Sequence, residues 1–357
     1  MRNTVVAVNG AVPLQEGQCQ VIAEAGANHN NSVPRAIEMV QKAAAAGAWA
    51  VKFQLYKAGS LASRRSPKYW DDNFGTTTQY EAFRLSDHLE YSDYAEVRAA
   101  CRDLGIVFFA TPFDADAVSS LEDMDTPIYK VASGDITHRQ LLQTIAATGK
   151  PVLLSTGAST PAEISQAIEW LGSDPEKLVI LACTLTYPTP DPDGNFARIS
   201  RFRQEFAPFL IGMSDHTLGV AGGWMTAALG GVCIEKHYTI DKTLGDVPDH
   251  AMSVDHRELE DLVAACARGA VLRGDESIGV RESEIPARDN ARRSLVAARG
   301  IGKGEVVGFF DFSAKRPGSG LVPTGVDRLV GGRALRDIEE DELVSIEDFS
   351  YPPLNDL

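Results

Sequence analysis

No stretch of the 357-residue chain strings together the roughly 18 apolar residues that a membrane-spanning helix needs. The first twenty residues, MRNTVVAVNGAVPLQEGQCQ, lack the apolar core and small-residue cleavage site of a secretory leader. A cytoplasmic protein with no membrane partner is therefore expected. Cysteine is sparse. The five (Cys19, Cys101, Cys183, Cys233 and Cys266) are odd in number, widely scattered and never spaced as CxxC. Neither a disulfide framework nor a zinc cluster is indicated, and the thiols read as small apolar core groups. Positive charge is in deficit, with 34 Lys and Arg against 49 Asp and Glu, a net of -15. That balance argues against a nucleic-acid partner, which needs a basic surface to replace its counterions. No strand is followed by GxGxxG, and neither an internal repeat nor a low-complexity tract is apparent.

What is present is an ordinary globular composition, 44% hydrophobic and 23% charged, long enough for one large domain and one small one. From Cys19 to about Arg288, short β-branched runs alternate with amphipathic stretches, the pattern of parallel βαβ units. Eight strands are expected: Gln20–Ala25, Ala48–Gln54, Ile106–Thr111, Ile128–Ala132, Pro151–Thr156, Leu178–Cys183, Leu210–Ser214 and Gly231–His237. Helices with readable ends lie between them, such as SDYAEVRAACRDL, stopped by Gly105, and PAEISQAIEWL, opened by Pro161. Eight such units in this length predict a TIM (β/α)8 barrel over residues 1–284. The long connection from Leu55 to Glu90 reads as a lid or binding loop. A charged linker containing Pro286 is expected over 285–293, and a small β-rich domain over 294–357.

In such a barrel the chemistry sits at the C-terminal strand ends. The expected ends carry Glu24, Asn28 and His29; Lys52 and Gln54; Thr111; Lys130, Ser133 and Asp135; Ser155 and Thr156; Thr184 and Tyr187; Ser214, Asp215 and His216; Glu235 and His237. Strand alternation puts Lys52 and Gln54 on one face and Glu235 and His237 on one face, leaving Lys236 toward the outer helices. A single serine at a strand end is commonly only a helix cap; convergence of many ends on one mouth is the stronger signal. Lys52 and Lys130, with the hydroxyls of Thr111, Ser133, Ser155 and Ser214, would form a cationic, donor-rich wall suited to phosphate and carboxylate. His216 and His237 could give a divalent ion two imidazole nitrogens. His88, His138, His250 and His256 fall in loops or helices and read as surface residues.

The motifs AEAGANHNNS, AVKFQ, FFATPFD, YKVASGD, GKPVLLSTG, YPTP, GMSDHTLG and EKHYT, in this order, resemble the sialic acid synthase family, which includes N-acetylneuraminate, legionaminate and pseudaminate synthases. The C-terminal RRSLVAARGIGKGEV and KRPGSG resemble that family's antifreeze-like (SAF) domain. The resemblance implies condensation of phosphoenolpyruvate with an open-chain amino-sugar aldehyde and water, with phosphate leaving by C–O cleavage. It implies a manganese-type ion, with magnesium or cobalt as alternatives, on His216 and His237, and phosphoenolpyruvate on Lys52, Thr111, Lys130, Ser133, Ser155 and Ser214. Gln54 is grouped with that donor site. Glu24, Lys52, Lys130 and Asp135 form the expected catalytic set. Asn28, Tyr187, Asp249 and Arg316 form the expected sugar side, Arg316 reaching over the partner's barrel in a domain-swapped homodimer. Some family members carry Glu where Asp135 stands and an amide where Leu185 stands, both near the sugar. The alternatives are a related 3-deoxy-ulosonic acid synthase with another aldose acceptor, and a non-catalytic sugar-binding barrel.

Overall fold

The computed structural model describes residues 5–70, 75–244 and 248–351, in two compact units divided between Asp275 and Glu276. The first unit is a closed barrel of eight parallel strands. They are β1 (Gln20–Gly26), β2 (Ala50–Leu55), β3 (Val107–Pro112), β4 (Tyr129–Val131), β5 (Val152–Ser155), β6 (Leu178–Cys183), β7 (Leu210–Asp215) and β8 (Cys233–His237), and β8 closes on β1. Their outer helices are α1 (Val33–Ala45), α2 (Tyr94–Leu104), α3 (Ala115–Asp123), α4 (Arg139–Ala147), α5 (Pro161–Trp170), α6 (Arg198–Glu205), α7 (Ala221–Ala228) and α8 (His256–Arg273). Local chemistry ends these helices where the sequence does. Thr160 and Glu163 form a capping box ahead of α5, as Asp255 and Glu258 do ahead of α8. Gly105 takes the left-handed conformation (φ 70°) that stops α2.

Strand alternation splits the interior into two layers. Outward residues such as Val21, Ala23, Phe53 and Ile180 pack under the helices, while Ile22, Ala50, Val107, Phe109, Leu153 and Leu181 fill the barrel. Val6, Val8 and Leu14 join that inner cluster and plug its N-terminal end; Val5–Val6 pairs antiparallel with Leu14–Gln15, and Trp49 Nε1 donates to the Val12 carbonyl at 2.9 Å. Two residues further along, the inward positions of four strands turn polar: Glu24 after Ile22, Lys52 after Ala50, Thr111 after Phe109, Ser155 after Leu153. Gly212 lets the layers close, since a Cβ there would lie 2.7 Å from Cys233 Sγ and from Leu181 Cδ2. All five cysteines are free and buried.

In the second unit, Ser294–Ala297 pairs antiparallel with Phe312–Lys315, and Arg333–Ala334 with Phe349–Ser350, around Leu295, Ile301, Phe312, Ile338, Val344 and Phe349. Ahead of the first of these strands, in the stretch expected to be a linker, lies the short helix Ile285–Ala291. The unit corrects the expectation of no internal repeat. Arg299 reaches Glu305 at 2.6 Å and Asp311 at 2.8 Å, and Arg336 reaches Glu342 at 2.6 Å and Asp348 at 2.8 Å, with the same spacing along the chain. In both halves the two carboxylates also accept from turn N–H groups: Glu305 from Gly302 and Asp311 from Gly308, Glu342 from Glu339 and Asp348 from Ser345. The repeat is also written in the sequence: Ala297, Arg299, Ile301, Glu305, Val307, Asp311, Phe312 and Ser313 recur 37 residues on as Ala334, Arg336, Ile338, Glu342, Val344, Asp348, Phe349 and Ser350. Among the described residues no helix is long and apolar enough to cross a membrane.

Candidate active site at the barrel mouth

The inward polar residues converge as two linked ion-pair groups. On one side Lys52 Nζ lies 2.8 Å from Glu24 Oε2 and donates to Thr111 Oγ1 at 3.0 Å, and Gln54 Nε2 donates to Glu24 Oε1 at 2.8 Å. Register sets this up, because Glu24 faces Lys52 across β1 and β2, and Gln54 faces Thr111 across β2 and β3. On the other side Glu235 receives Lys130 at 3.7 Å, Lys52 at 3.8 Å and the Ser214 hydroxyl at 3.1 Å. Ser133 Oγ accepts from the Gly157 N–H at 2.9 Å, and the buried Ser155 hydroxyl has no hydrogen-bond partner.

These contacts oppose burial unequally. Burial works against the charge of Lys52, yet Glu235 and Glu24 hold its ammonium above the ordinary lysine range. Burial wins at Lys130, aided by repulsion from Lys52 and against the pull of Glu235, and its pKa falls. Burial would raise Glu235, but Lys130 and Lys52, with His237 and His216, hold it well below the usual carboxylate value. Glu235 is a strand end that the expected site does not include. Its central place depends on which distant strands face each other, and the motif alone carries no such signal.

His216 and His237 are both buried, with ring centroids 5.5 Å apart. His216 Nδ1 lies 2.9 Å from the Thr184 carbonyl, so Nδ1 carries a proton; burial works against the charge of this ring, yet Cys183, that carbonyl and Glu235 hold its pKa above the ordinary histidine value. His237 Nδ1 lies 3.4 Å from Asp249 Oδ2, without hydrogen-bond geometry. Burial, against the attraction of Asp249 and Glu24, lowers the His237 pKa and favours its neutral, ligating form. Among the described residues no group of three or more protein donors surrounds the pair. The two imidazoles could hold a divalent ion only if water or substrate filled its other positions. Tyr187 completes this corner, its ring 4.2 Å from that of His216 and 5.9 Å from that of His237.

The remaining expected residues are placed less simply. Asp135 lies in a turn (Ser133–Asp135) after β4, Oδ1 3.9 Å from His138 Nδ1; burial raises its carboxyl to about 6 against the opposing charges of His138 and Lys130. Asn28 is fully buried, and its amide N–H groups go to the Tyr238 carbonyl (2.9 Å) and Ser253 Oγ (3.0 Å), leaving Oδ1 without a partner. Arg316 is exposed in the second unit, just after Phe312–Lys315. His250 corrects a reading: it is buried, bonding Thr239 Oγ1 at 2.8 Å through Nδ1 and Asn30 Oδ1 at 2.9 Å through Nε2. A loop histidine looks like a surface residue in one dimension, and only the folding of its loop onto β1's exit buries it. Of the long connection, 71–74 lie outside the described residues; Lys57 clasps its far end through the Asp87 and Leu89 carbonyls at 3.1 and 2.8 Å.

An eight-stranded parallel barrel with buried lysines, carboxylates and a histidine pair at its C-terminal strand ends defines the class: a TIM barrel with a charged mouth. The chain belongs to the NeuB family, whose model matches residues 39–277, and it carries a SAF domain over residues 292–350. It is 34% identical over 335 residues to N,N'-diacetyllegionaminic acid synthase of Legionella pneumophila, covering 91% of this chain and 93% of that one. It is 30% identical over 332 residues to pseudaminic acid synthase of Campylobacter jejuni, covering 92% and 96%. Among solved structures, N-acetylneuraminic acid (sialic acid) synthetase from Leptospira borgpetersenii, in complex with citrate, superposes with a TM-score of 0.71 at 28% identity, covering 80% of this chain and 96% of that one.

Proposed function

We propose that this chain is a nonulosonic acid synthase that joins phosphoenolpyruvate to the aldehyde of an open-chain N-acetylmannosamine-like sugar. In this transferase-type reaction C3 of phosphoenolpyruvate forms a bond to the aldehyde carbon, water adds at C2, and phosphate leaves as its C2–O bond breaks. The observation that carries the reading is the linked Glu24–Lys52 and Lys130–Glu235 system, 2.8 and 3.7 Å apart within each pair, lined by hydroxyls at the mouth of a barrel akin to three sugar-acid synthases.

Lys52 and Lys130, with Thr111, Ser133, Ser155 and Ser214, hold the donor's carboxylate and phosphate and steady the phosphate as it leaves. Gln54 acts by orienting Glu24. Glu24, fixed between Gln54 and Lys52, handles the proton exchanged with the water or with a sugar hydroxyl, and Asp135 serves the sugar side. Glu235 faces the cationic character that develops at C2. Asn28 Oδ1, Tyr187 and Asp249 line the acceptor side. A manganese-type ion on His216 and His237 would polarise the aldehyde oxygen. The same proposal includes a domain-swapped homodimer in which Arg316 of the partner subunit reaches the sugar.

The test is phosphate release from phosphoenolpyruvate by metal-stripped protein with manganese restored, across N-acetylmannosamine, its 6-phosphate, mannose and the diacetamido hexoses. Metal-dependent release with one acceptor identifies reaction and substrate together. A folded, manganese-binding protein that releases phosphate with none of them overturns the reading.

A further inference from the structure

Behind the site lies a second buried ion pair that the proposed chemistry does not use. Asp215 and Lys236 face each other across β7 and β8, both about 1% exposed, with Lys236 Nζ 2.8 Å from Asp215 Oδ2. The other carboxylate oxygen accepts from the N–H and the hydroxyl of Thr217, both at 2.8 Å, and Lys236 also donates to the Thr217 carbonyl. Helix α7 packs straight onto this pair: a Cβ at Gly222 would lie 2.3 Å from Asp215 Oδ2.

Each partner sits between two site residues, Asp215 between Ser214 and His216, Lys236 between Glu235 and His237. Alternation turns those four inward while the pair points out. A buried ion pair adds little net stability over a packed apolar pair of the same volume. What this one does is tie both ends of the Asp215–Thr217 turn to β8, with His216 in the middle.

We infer that Asp215 and Lys236 are positioning residues that set the place of His216 relative to His237, and through it the affinity of the histidine pair for a divalent ion. The inference rests on the proposed metal-assisted function. Outer-shell groups of this kind typically alter metal affinity 10- to 100-fold.

The test is the double variant Asp215→Leu with Lys236→Met, which leaves neither charge unpaired, beside the closer-shaped double variant Asp215→Asn with Lys236→Gln should the first not fold. Manganese binding is read by electron paramagnetic resonance without substrate, and the His216 ring by 15N chemical shifts in the metal-free protein. Expected are manganese binding weakened by about 10- to 100-fold, kcat reduced with KM for phosphoenolpyruvate little changed, and a shifted His216 Nδ1 resonance as its bond to the Thr184 carbonyl is disturbed. Wild-type manganese affinity together with an unaltered His216 ring overturns the inference. If the wild type itself binds no manganese, the functional reading fails, and the ring shifts still decide whether the pair positions His216.

Discussion

Lys130 Nζ lies 3.7 Å from Glu235 Oε1, a contact that spans the barrel, since β4 and β8 stand on opposite sides of the ring of strands. Lys52 approaches the same carboxylate from β2. The mouth is therefore a single electrostatic unit, and each member can be tested by its effect on the others.

Lys130→Ala should fold, because it deletes a cation whose burial is unfavourable. Phosphate release should fall by about 100-fold or more, the scale of losing one preorganised charge-stabilising donor. Normal release with a normal melting curve would remove Lys130 from the donor site.

Glu235→Gln leaves Lys130 without its carboxylate while Lys52 keeps Glu24. Thermal stability should drop, on the order of 3 kcal/mol, and saturating phosphoenolpyruvate should recover much of the loss. Because the native pKa is depressed, the wild-type stabilisation is present above the ordinary glutamate value and is lost on acidification below it. The variant should lack that acid-side loss, which calorimetry from pH 3 to 7 would show. A kcat that falls more than KM rises would place Glu235 against the reacting carbon.

Gly157→Ala tests the Ser133 shelf. A Cβ there would lie 2.9 Å from Ser133 Oγ and from Leu185 Cβ, and 3.1 Å from Cys183 Sγ. The crowding should cost about 1–3 kcal/mol and raise KM for phosphoenolpyruvate, while the acceptor KM moves less. Equal changes in both would show general distortion instead.

Asp135→Asn addresses a carboxyl that burial raises to about 6. Below about pH 3 both folded and unfolded chains hold this proton, so variant and wild type should match. As pH rises from about 4 to 6 the unfolded chain ionises first and the wild type loses stability, so above pH 6 the variant should be the more stable. The expected gap is about 1–3 kcal/mol, read as a few degrees in the melting temperature across pH 4.5–8. A constant gap at all pH values would count against the raised pKa.

The eight strands, their inward alternation and the polar residues that meet at the mouth are legible in the sequence, because a period of two and a polar residue at a strand end are local properties. Lys52 and Gln54 needed only their own strand. Glu235 as the hub and His250 as a buried clasp are not legible there, because each is a relation between segments far apart in the chain; the doubled arginine turns of the second unit are legible, as identical residues recurring at a constant offset of 37.

The order of short apolar runs and amphipathic helices determined a parallel sheet with both faces covered, and eight such units in this length pointed to its closure as a barrel. The residue at each strand end determined which chemical groups the mouth holds. Only the tertiary structure decided their pairing. Closure of β8 onto β1 sets His237 beside Glu24, and the width of the barrel sets Lys130 within reach of Glu235. Charge, burial and protonation follow from those distances, which are properties of the closed ring and of no single segment.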